Sequence, residues 1–466
     1  MAKKKESELL AEKLLMPKKN PQLSVKEDTF DEADKFCVGY KRFLDEGKTE
    51  REAVRLAVEK AEKAGFVPFD ADKEYKAGDK VYLNNRGKAI ILAVIGEKSV
   101  DCGTRILAAH IDSPRLDLKQ NPLYEADELA LFKTHYYGGI RKYQWTAVPL
   151  ALHGVVCLKD GTKVTVNIGE DASDPQFCVT DLLPHLAAEM NKRTLAVGVK
   201  GEELNILVGS RPLACDEGSN LVKLNIMKIL NERYGIVEAD FQSAELEAVP
   251  AALARDIGFD RSMIGSYGHD DRVCAYPALE AVLKAEKPEY TVITVLTDKE
   301  ETGSEGNTGL RSSYMKYFIE DLAAMQGVNP RKAFTNSICL SADVNAAYDP
   351  TFSDAFEKRN SCFIGRGVCF TKYTGSRGKY DSNDASAETL AYCRKLLDER
   401  GIIWQTGELG KVDQGGGGTV AKYVASLDID VVDVGVPVLS MHAPFEIVSK
   451  LDVYMTYLAF SAFFED

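Results

Sequence analysis

No apolar run in this chain of 466 residues is long enough to span a bilayer, so no membrane helix is predicted. Positive charge is scarce: 58 Lys and Arg face 71 Asp and Glu, a formal net charge of -13. That deficit argues against a general nucleic-acid binder and against a partner of anionic membranes. The ten cysteines stand singly, with no CxxC pair. Thiolate zinc sites and a disulfide framework are therefore unsupported. Reduced, mostly buried thiols in a cytoplasmic protein are the expectation. Residues 1–20 carry lysine clusters but no apolar h-region, so they read as a solvated amphipathic segment rather than a secretory signal. Internal repeats and low-complexity tracts are also missing. What remains is ordinary globular composition, long enough for two to three domains.

Apolar residues recur at helical spacing over 25–64, and Gly65 stops the run. Residues 79–96 read as a hairpin turning at 84–87, and 105–109 as a strand ending in His110-Ile111-Asp112-Ser113-Pro114. After Pro114 the pattern becomes mixed and β-rich. Tyr136-Tyr137-Gly138-Gly139-Ile140 makes an aromatic, glycine-rich bend, and 155–168 a hairpin. Residues 182–191 read as a short helix, and 219–234 as a longer one with Ser219 as its N-cap. From Asp270 the alternation of helix and strand is clear. Helices are predicted at 271–285, 308–326, 386–401 and 450–464, and strands at 290–296, 337–342 and 431–439. The expected fold class is α/β: a mixed, mostly parallel sheet flanked by helices. It is built from 1–114 and 255–466, with 115–254 inserted as a β-rich domain of its own.

One stretch organises the chemistry. The strand at 290–296 runs into Thr297-Asp298-Lys299-Glu300-Glu301-Thr302-Gly303. Ligands sit at the carboxyl ends of strands in open α/β sheets. Two adjacent acids there can divide the work, one binding a metal while the other moves a proton. Taken alone, each motif has a commoner explanation. Glu300-Glu301 would be an exposed loop pair, His110-x-Asp112 a surface loop and Asp270 a helix N-cap. Asp343 and His442 would be satisfied loop residues. Together they change the odds. Four inferred strand ends carry His, Asp or Glu, and a fifth acid opens a helix. Two histidines and three carboxylates suit a zinc site with an open position, and Glu300 is left over as a base.

His110-Ile-Asp112-Ser-Pro, Asp270-Asp271-Arg272, Asp298-Lys-Glu300-Glu301-Thr-Gly-Ser-Glu-Gly, Ser341-Ala-Asp343 and Met441-His442-Ala-Pro-Phe-Glu run in this order along the chain. In these blocks the chain resembles the aspartyl aminopeptidase family of metallo-aminopeptidases. The resemblance implies a zinc-exopeptidase type of fold with two Zn2+ per subunit, Mn2+ or Co2+ being alternatives. One zinc would be held by His110, Asp270 and Glu301, the other by Asp270, Asp343 and His442. Glu300 would be the general base and Asp112 the acid that orients a ligand. The inserted segment would be a dimerisation domain. From it, His185 in Leu183-Pro184-His185-Leu186 would reach the active site of a neighbouring subunit and stabilise the tetrahedral intermediate. Assembly into a tetrahedral dodecamer is implied, as are peptide substrates with a free N-terminus. A preference for Asp or Glu would need a cationic pocket, for which the resemblance points to Lys372. Gly416 and Gly417, in the run 415–418, could let backbone N–H groups approach substrate, a flexible turn being the rival reading. His269 replaces a residue that is usually Leu in eukaryotic members; it would either support the metal site from behind or, the favoured reading, be solvated.

Two other readings stay open at this point. One keeps the fold but takes neutral or basic N-terminal residues, or deacylates. The other, from a different class, is a metal-stabilised peptide-binding scaffold without catalysis, which would have no need of Glu300 beside Glu301.

Overall fold

The structure is a computed structural model and describes residues 5–16, 20–214 and 218–466. Cys215 and the lysines at 3–4 and 18–19 of the amphipathic segment lie outside the described residues. The described part of that segment contains a helix, Glu6–Leu14, with no buried residue. No described helix is long and apolar enough to cross a membrane, and all nine described cysteines are free.

The main sheet has nine strands, in the order Val67–Pro68, Lys80–Asn85, Ala89–Val94, Thr291–Thr297, Thr104–His110, Ile338–Ala342, Asp430–Gly435, Val368–Thr371, Trp404–Thr406. The four from Thr291–Thr297 to Asp430–Gly435 run parallel. The strands at its centre are apolar without alternation because both faces are covered. Period two then divides their side chains between two cores. Leu92, Leu107, Ala109 and Leu296 enter one core, with Tyr40, Val273 and Phe460 from the helices Glu27–Glu46, His269–Lys284 and Lys450–Glu465. Ile91, Ile106, Ala108 and Val295 enter the other, under Phe318 and Val424 from the helices Tyr314–Met325 and Ala421–Ala425. Each fully buried Leu or Ile contributes about 1.5–3 kcal/mol relative to exposure.

A second sheet is wholly antiparallel, ordered Lys163–Ile168, Leu150–Cys157, Ala244–Pro250, Arg115–Ala126, Leu129–Tyr137, Ile206–Gly209, Cys178–Val179. It has its own core around Leu116, Trp145, Leu152 and Phe241. A third sheet of five short strands joins Arg255–Ile257, Met263–Ser266, Glu446–Ser449, Pro437–Leu439 and Asn345–Ala346.

Several predicted elements differ in detail. The helical run over 25–64 is two helices, Glu27–Glu46 and Glu50–Lys63. Thr49 and Glu52 form a capping box that starts the second, because each bonds the other's backbone N–H. The region 182–191 is turns with a 3-10 segment, Met190–Lys192, rather than an α-helix. Leu182, Leu183 and Leu186 stay exposed there, so no buried face supports a helix. The longer helix is Leu221–Tyr234, and its cap residue is the left-handed Asn220, not Ser219. The helix predicted at 308–326 covers only Tyr314–Met325. The apolar run at 431–439 is split between two sheets, as Asp430–Gly435 and Pro437–Leu439. At the split the backbones crowd: a Cβ on Gly435 would lie 1.8 Å from the Asp343 carbonyl oxygen.

Candidate metal centre

The parallel strands Thr104–His110, Thr291–Thr297 and Ile338–Ala342 are neighbours, so their carboxyl ends meet on one edge. His110 ends the first. Glu300 and Glu301 follow the second in a short turn, Glu300–Thr302, entered through Lys299 in a left-handed conformation. Asp343 follows the third. Asp270 opens the helix His269–Lys284. His442 lies in the turn between Pro437–Leu439 and Glu446–Ser449. Asp270, Glu300, Glu301, Asp343 and His442 line a cavity of about 470 Å³, and His110 is buried beside it.

These residues form two groups that share Asp270. Donor atoms of His110, Asp270 and Asp343 lie within 4.8 Å of one another, and so do those of Asp270, Glu301 and His442. The partition differs from the one the resemblance implies: Asp343 belongs with His110, and Glu301 with His442. The turns after the strands are the reason, not sheet order. The strand ending before Asp343 pairs directly with the strand that ends in His110, and so does the strand before Glu301. The turn after Thr297 carries Glu301 away, to 3.6 Å from His442 Nε2, while Glu300 Oε2 lies 4.0 Å from His110 Nε2. Asp270 faces both groups, with Oδ1 3.1 Å from His110 Nε2 and Oδ2 3.1 Å from His442 Nε2.

The donor set fits a pair of divalent cations on three counts. First, each histidine has its outer nitrogen committed. His442 Nδ1 is 2.7 Å from the Gly139 carbonyl and His110 Nδ1 is 3.0 Å from the Asp112 carbonyl. A carbonyl can only accept, so Nδ1 carries a proton in both rings, which leaves each Nε2, facing the carboxylates, as the nitrogen a cation would take. Second, Asp270 Oδ1 and Glu301 Oε1 are buried without a hydrogen-bond partner, a costly arrangement unless a cation satisfies them. Third, the negative charge is crowded. Burial and the Asp343 charge push Glu300 up to about 8. Burial and Asp270 raise Glu301 well above the usual carboxylate range. Burial by itself lowers the pKa of His110, yet Asp112, Asp270 and Asp343 reverse that and raise it well above its ordinary value. His442, also buried, is carried up to about 11 by Asp270 and Glu301.

Around these groups stand residues that hold them. Asp112 Oδ1 accepts from the Glu300 N–H at 3.1 Å, and Oδ2 accepts from the Glu301 N–H at 3.2 Å and the Tyr137 hydroxyl at 2.8 Å. Glu446 accepts from the backbone N–H of both Asp270 (3.1 Å) and His442 (2.6 Å). Neither Tyr137 nor Glu446 had a role assigned from sequence, although both fall in or beside motifs that stand out there. Glu446 was legible as the last residue of the His442 block. Tyr137 carries no such signal beyond its place before two glycines.

One expectation needs correction. His269 is buried, not solvated: Nε2 donates to the Ile264 carbonyl at 3.1 Å and Nδ1 accepts from Tyr40 Oη at 2.6 Å. Burial lowers its pKa to about 3, so the ring is neutral. Lys372 does not line the cavity. Its neighbour Thr371 does, while the Lys372 ammonium turns to Asp384 at 2.8 Å. Gly416 and Gly417 line the cavity as expected, and the Gly417 N–H donates to the Thr374 carbonyl. A Cβ on Gly416 would lie 2.6 Å from the Gly375 carbonyl, so tight packing of two loops explains that glycine. His185 is exposed on the second-sheet segment and does not line the cavity of its own chain.

A mostly parallel sheet with histidines and carboxylates able to hold a metal gathered at its strand ends fits one class: a metal-dependent hydrolase. The model of the M18 family, aminopeptidase I zinc metalloprotease, matches residues 43–464. The chain belongs to that family, and so is a zinc aminopeptidase that removes N-terminal residues from peptides. A probable M18 family aminopeptidase 1 from Clostridium acetobutylicum is 52% identical over 438 residues, covering 92% of this chain and 94% of the relative. Among solved structures, an M18 aminopeptidase from Thermotoga maritima superposes with a TM-score of 0.92 at 45% identity, covering 97% of this chain and 99% of the other. Aminopeptidase I from Clostridium acetobutylicum gives a TM-score of 0.90 at 48% identity, covering 97% and 100%.

Proposed function

We propose a two-zinc aminopeptidase in which His110, Asp270 and Asp343 hold one ion and Asp270, Glu301 and His442 the other. The observation that carries this reading is Asp270, whose two oxygens face two different histidines at 3.1 Å each. When bound, zinc acts as a Lewis acid on the scissile carbonyl and acidifies water. Glu300 takes the proton from the attacking water and returns it to the leaving amine. Burial and Asp343 lift its carboxyl to about 8; cations alongside draw that value down, leaving a base that works near neutral pH. Asp112 fixes the backbone of Glu300 and Glu301 and carries no proton itself. Glu300→Gln should lower kcat by about 10²–10⁴-fold, the usual contribution of a positioned proton carrier. Zinc content and assembly should be unchanged. Full activity in that variant would show that another group is the base.

The cavity favours a neutral N-terminal side chain over Asp or Glu. Val344, Leu409 and Met441 line it with Thr371, Thr374 and Asn345. Among its described lining residues the one Lys or Arg is Lys422, already paired with Asp381 at 2.6 Å. An acidic side chain would have to displace that carboxylate, and burying an unpaired charge is costly. On a panel of aminoacyl 4-nitroanilides, kcat/KM for Leu or Met should exceed that for Asp or Glu by about tenfold or more, a difference of about 1.4 kcal/mol. The reverse order, abolished by Lys372→Ala, would restore the acidic preference and the role first expected of that lysine.

The segment 115–254, with its own sheet and core, is proposed as a dimerisation domain. The exposed Leu182, Leu183 and Leu186 flank His185 and give it an apolar surface to place against a partner. His185 would then donate to the oxyanion in the neighbouring subunit. A yeast relative of 20% identity, which shares the fold, is described as a dodecamer, and a homo-oligomer of that kind is proposed for this chain in the cytoplasm. His185→Ala should lower kcat while leaving oligomer size by light scattering unchanged.

A further inference from the structure

The strand Leu129–Tyr137 belongs to the second sheet, yet the bend after it touches the metal centre at three successive residues. The Tyr137 hydroxyl donates to Asp112 Oδ2 at 2.8 Å. Gly138, at φ +73°, passes so close to Glu301 that a Cβ would lie 3.0 Å from its Oε2. The Gly139 carbonyl accepts from His442 Nδ1 at 2.7 Å. Tyr137 is itself held from behind. The Arg115 guanidinium sits 4.0 Å from the centre of its ring. That guanidinium is buried and paired with Glu50 at 3.2 Å, Glu247 at 3.3 Å and Asp117 at 2.8 Å. Glu50 comes from the helix Glu50–Lys63 beside the main sheet, whereas Glu247 and Asp117 lie on second-sheet strands. The ring therefore stands at the seam between the two sheets.

We infer that the Tyr137–Gly139 bend is a positioning element of the active site, supplied by the second sheet and clamped by Arg115. It touches no reacting atom. Through Asp112 it sets the backbone of Glu300 and Glu301, and through Gly139 it sets the tautomer and aim of His442. Tyr137 is only half-buried, and its hydroxyl is spent on a carboxylate that already accepts two backbone N–H groups. Groups that orient metal ligands from one layer out typically matter 10- to 100-fold in affinity or activity.

This inference rests on the assignment of Glu300 and the zinc ligands above. The test uses the full-length zinc-loaded enzyme and its Tyr137→Phe and Gly138→Ala variants. In both, kcat should fall about 10- to 100-fold while KM stays within about threefold. Zinc, measured by competition with a chromogenic chelator, should be held about tenfold more weakly. Melting temperature and oligomer size should match wild type for Tyr137→Phe. Wild-type kcat and zinc affinity in Tyr137→Phe overturn the inference whatever Gly138→Ala does, as does a fall in activity that merely tracks loss of folded protein. Glu300→Gln, run in parallel, separates the two failures. An active Glu300→Gln enzyme defeats the base assignment. An inactive one, beside a fully active Tyr137→Phe enzyme, defeats only the role of the bend.

Discussion

The two large sheets are stabilised alike and used differently. Central strands of the main sheet are buried on both faces, and every residue of Thr104–His110 and Thr291–Thr297 is buried. The second sheet alternates instead: Lys163–Ile168 buries Val166 and Ile168 while Lys163, Thr165 and Asn167 stay exposed. Parallel strands must end together, so the main sheet collects side chains at one edge. Antiparallel strands have no common end, and the second sheet offers faces and turns. Three of the candidate metal ligands, His110, Glu301 and Asp343, accordingly stand at or after strand ends of the main sheet, and Asp270 and His442 join them from segments beside the third sheet. The second sheet supplies a brace, the Tyr137–Gly139 bend, and the exposed leucines around His185. The lesson is that topology decides which sheet can hold the chemistry, whereas hydrophobic burial is common to both.

That contrast can be broken most sharply at Asp270. Asp270→Asn should remove the bridge between the two groups and lower kcat/KM by at least about 10³-fold, some 4 kcal/mol of transition-state stabilisation. Zinc content should drop with it, by atomic absorption. Next come matched core deletions. Leu107→Ala in the main sheet and Leu152→Ala in the second should each cost about 2–5 kcal/mol in urea unfolding, the range for buried Leu→Ala. Only Leu107→Ala should also loosen zinc, because its strand ends in His110. Equal zinc loss from both would mean that the sheets do not differ as argued.

The seam between the sheets should be sensitive to pH. His153, on a second-sheet strand, lies 2.8 Å from Glu52 and 3.1 Å from Glu170, with Lys48 beside Glu170 at 2.7 Å. Burial alone lowers the pKa of His153, but the bonds to Glu170 and Glu52 overcome it and raise the value to about 9. The folded value is above the unfolded one, so this stabilisation is complete below pH about 6.5 and is lost as pH rises through about 9. Unfolding free energy followed over that window should fall by about 1–3 kcal/mol in the wild type. The decline should be absent in His153→Gln. The smallest effect is expected at an ordinary cap. Ser386 accepts from the Thr389 N–H at the start of Ala387–Arg400, and Ser386→Ala should cost about 1 kcal/mol with no effect on zinc or kcat.

Much of this was legible in the sequence, for reasons that can be named. The strands before His110 and Glu300 are continuous β-branched and apolar runs, so their ends were locatable. The five candidate ligands stood out because each follows such a run or opens a helix. Their partition did not, since the strands before Glu301 and Asp343 both flank the strand that ends in His110, and only the turn after Thr297 carries Glu301 across to His442. The run at 431–439 hid a change of sheet, because Val436 and Pro437 continue the apolar pattern while the backbone turns away. The region 182–191 has helical spacing of leucines but no core to receive them. His269 looked like a solvated neighbour of a ligand, and only the fold places Tyr40 against its ring. Lys372 missed the cavity by one residue of register, with Thr371 in its place.

The central claim is that two cations share Asp270. The most direct measurement is a crystal structure of the zinc-loaded protein with anomalous data collected at the zinc edge. The account predicts two zinc peaks per subunit, one among His110, Asp270 and Asp343 and one among Asp270, Glu301 and His442. A single peak, or a second peak away from Asp270, would contradict it.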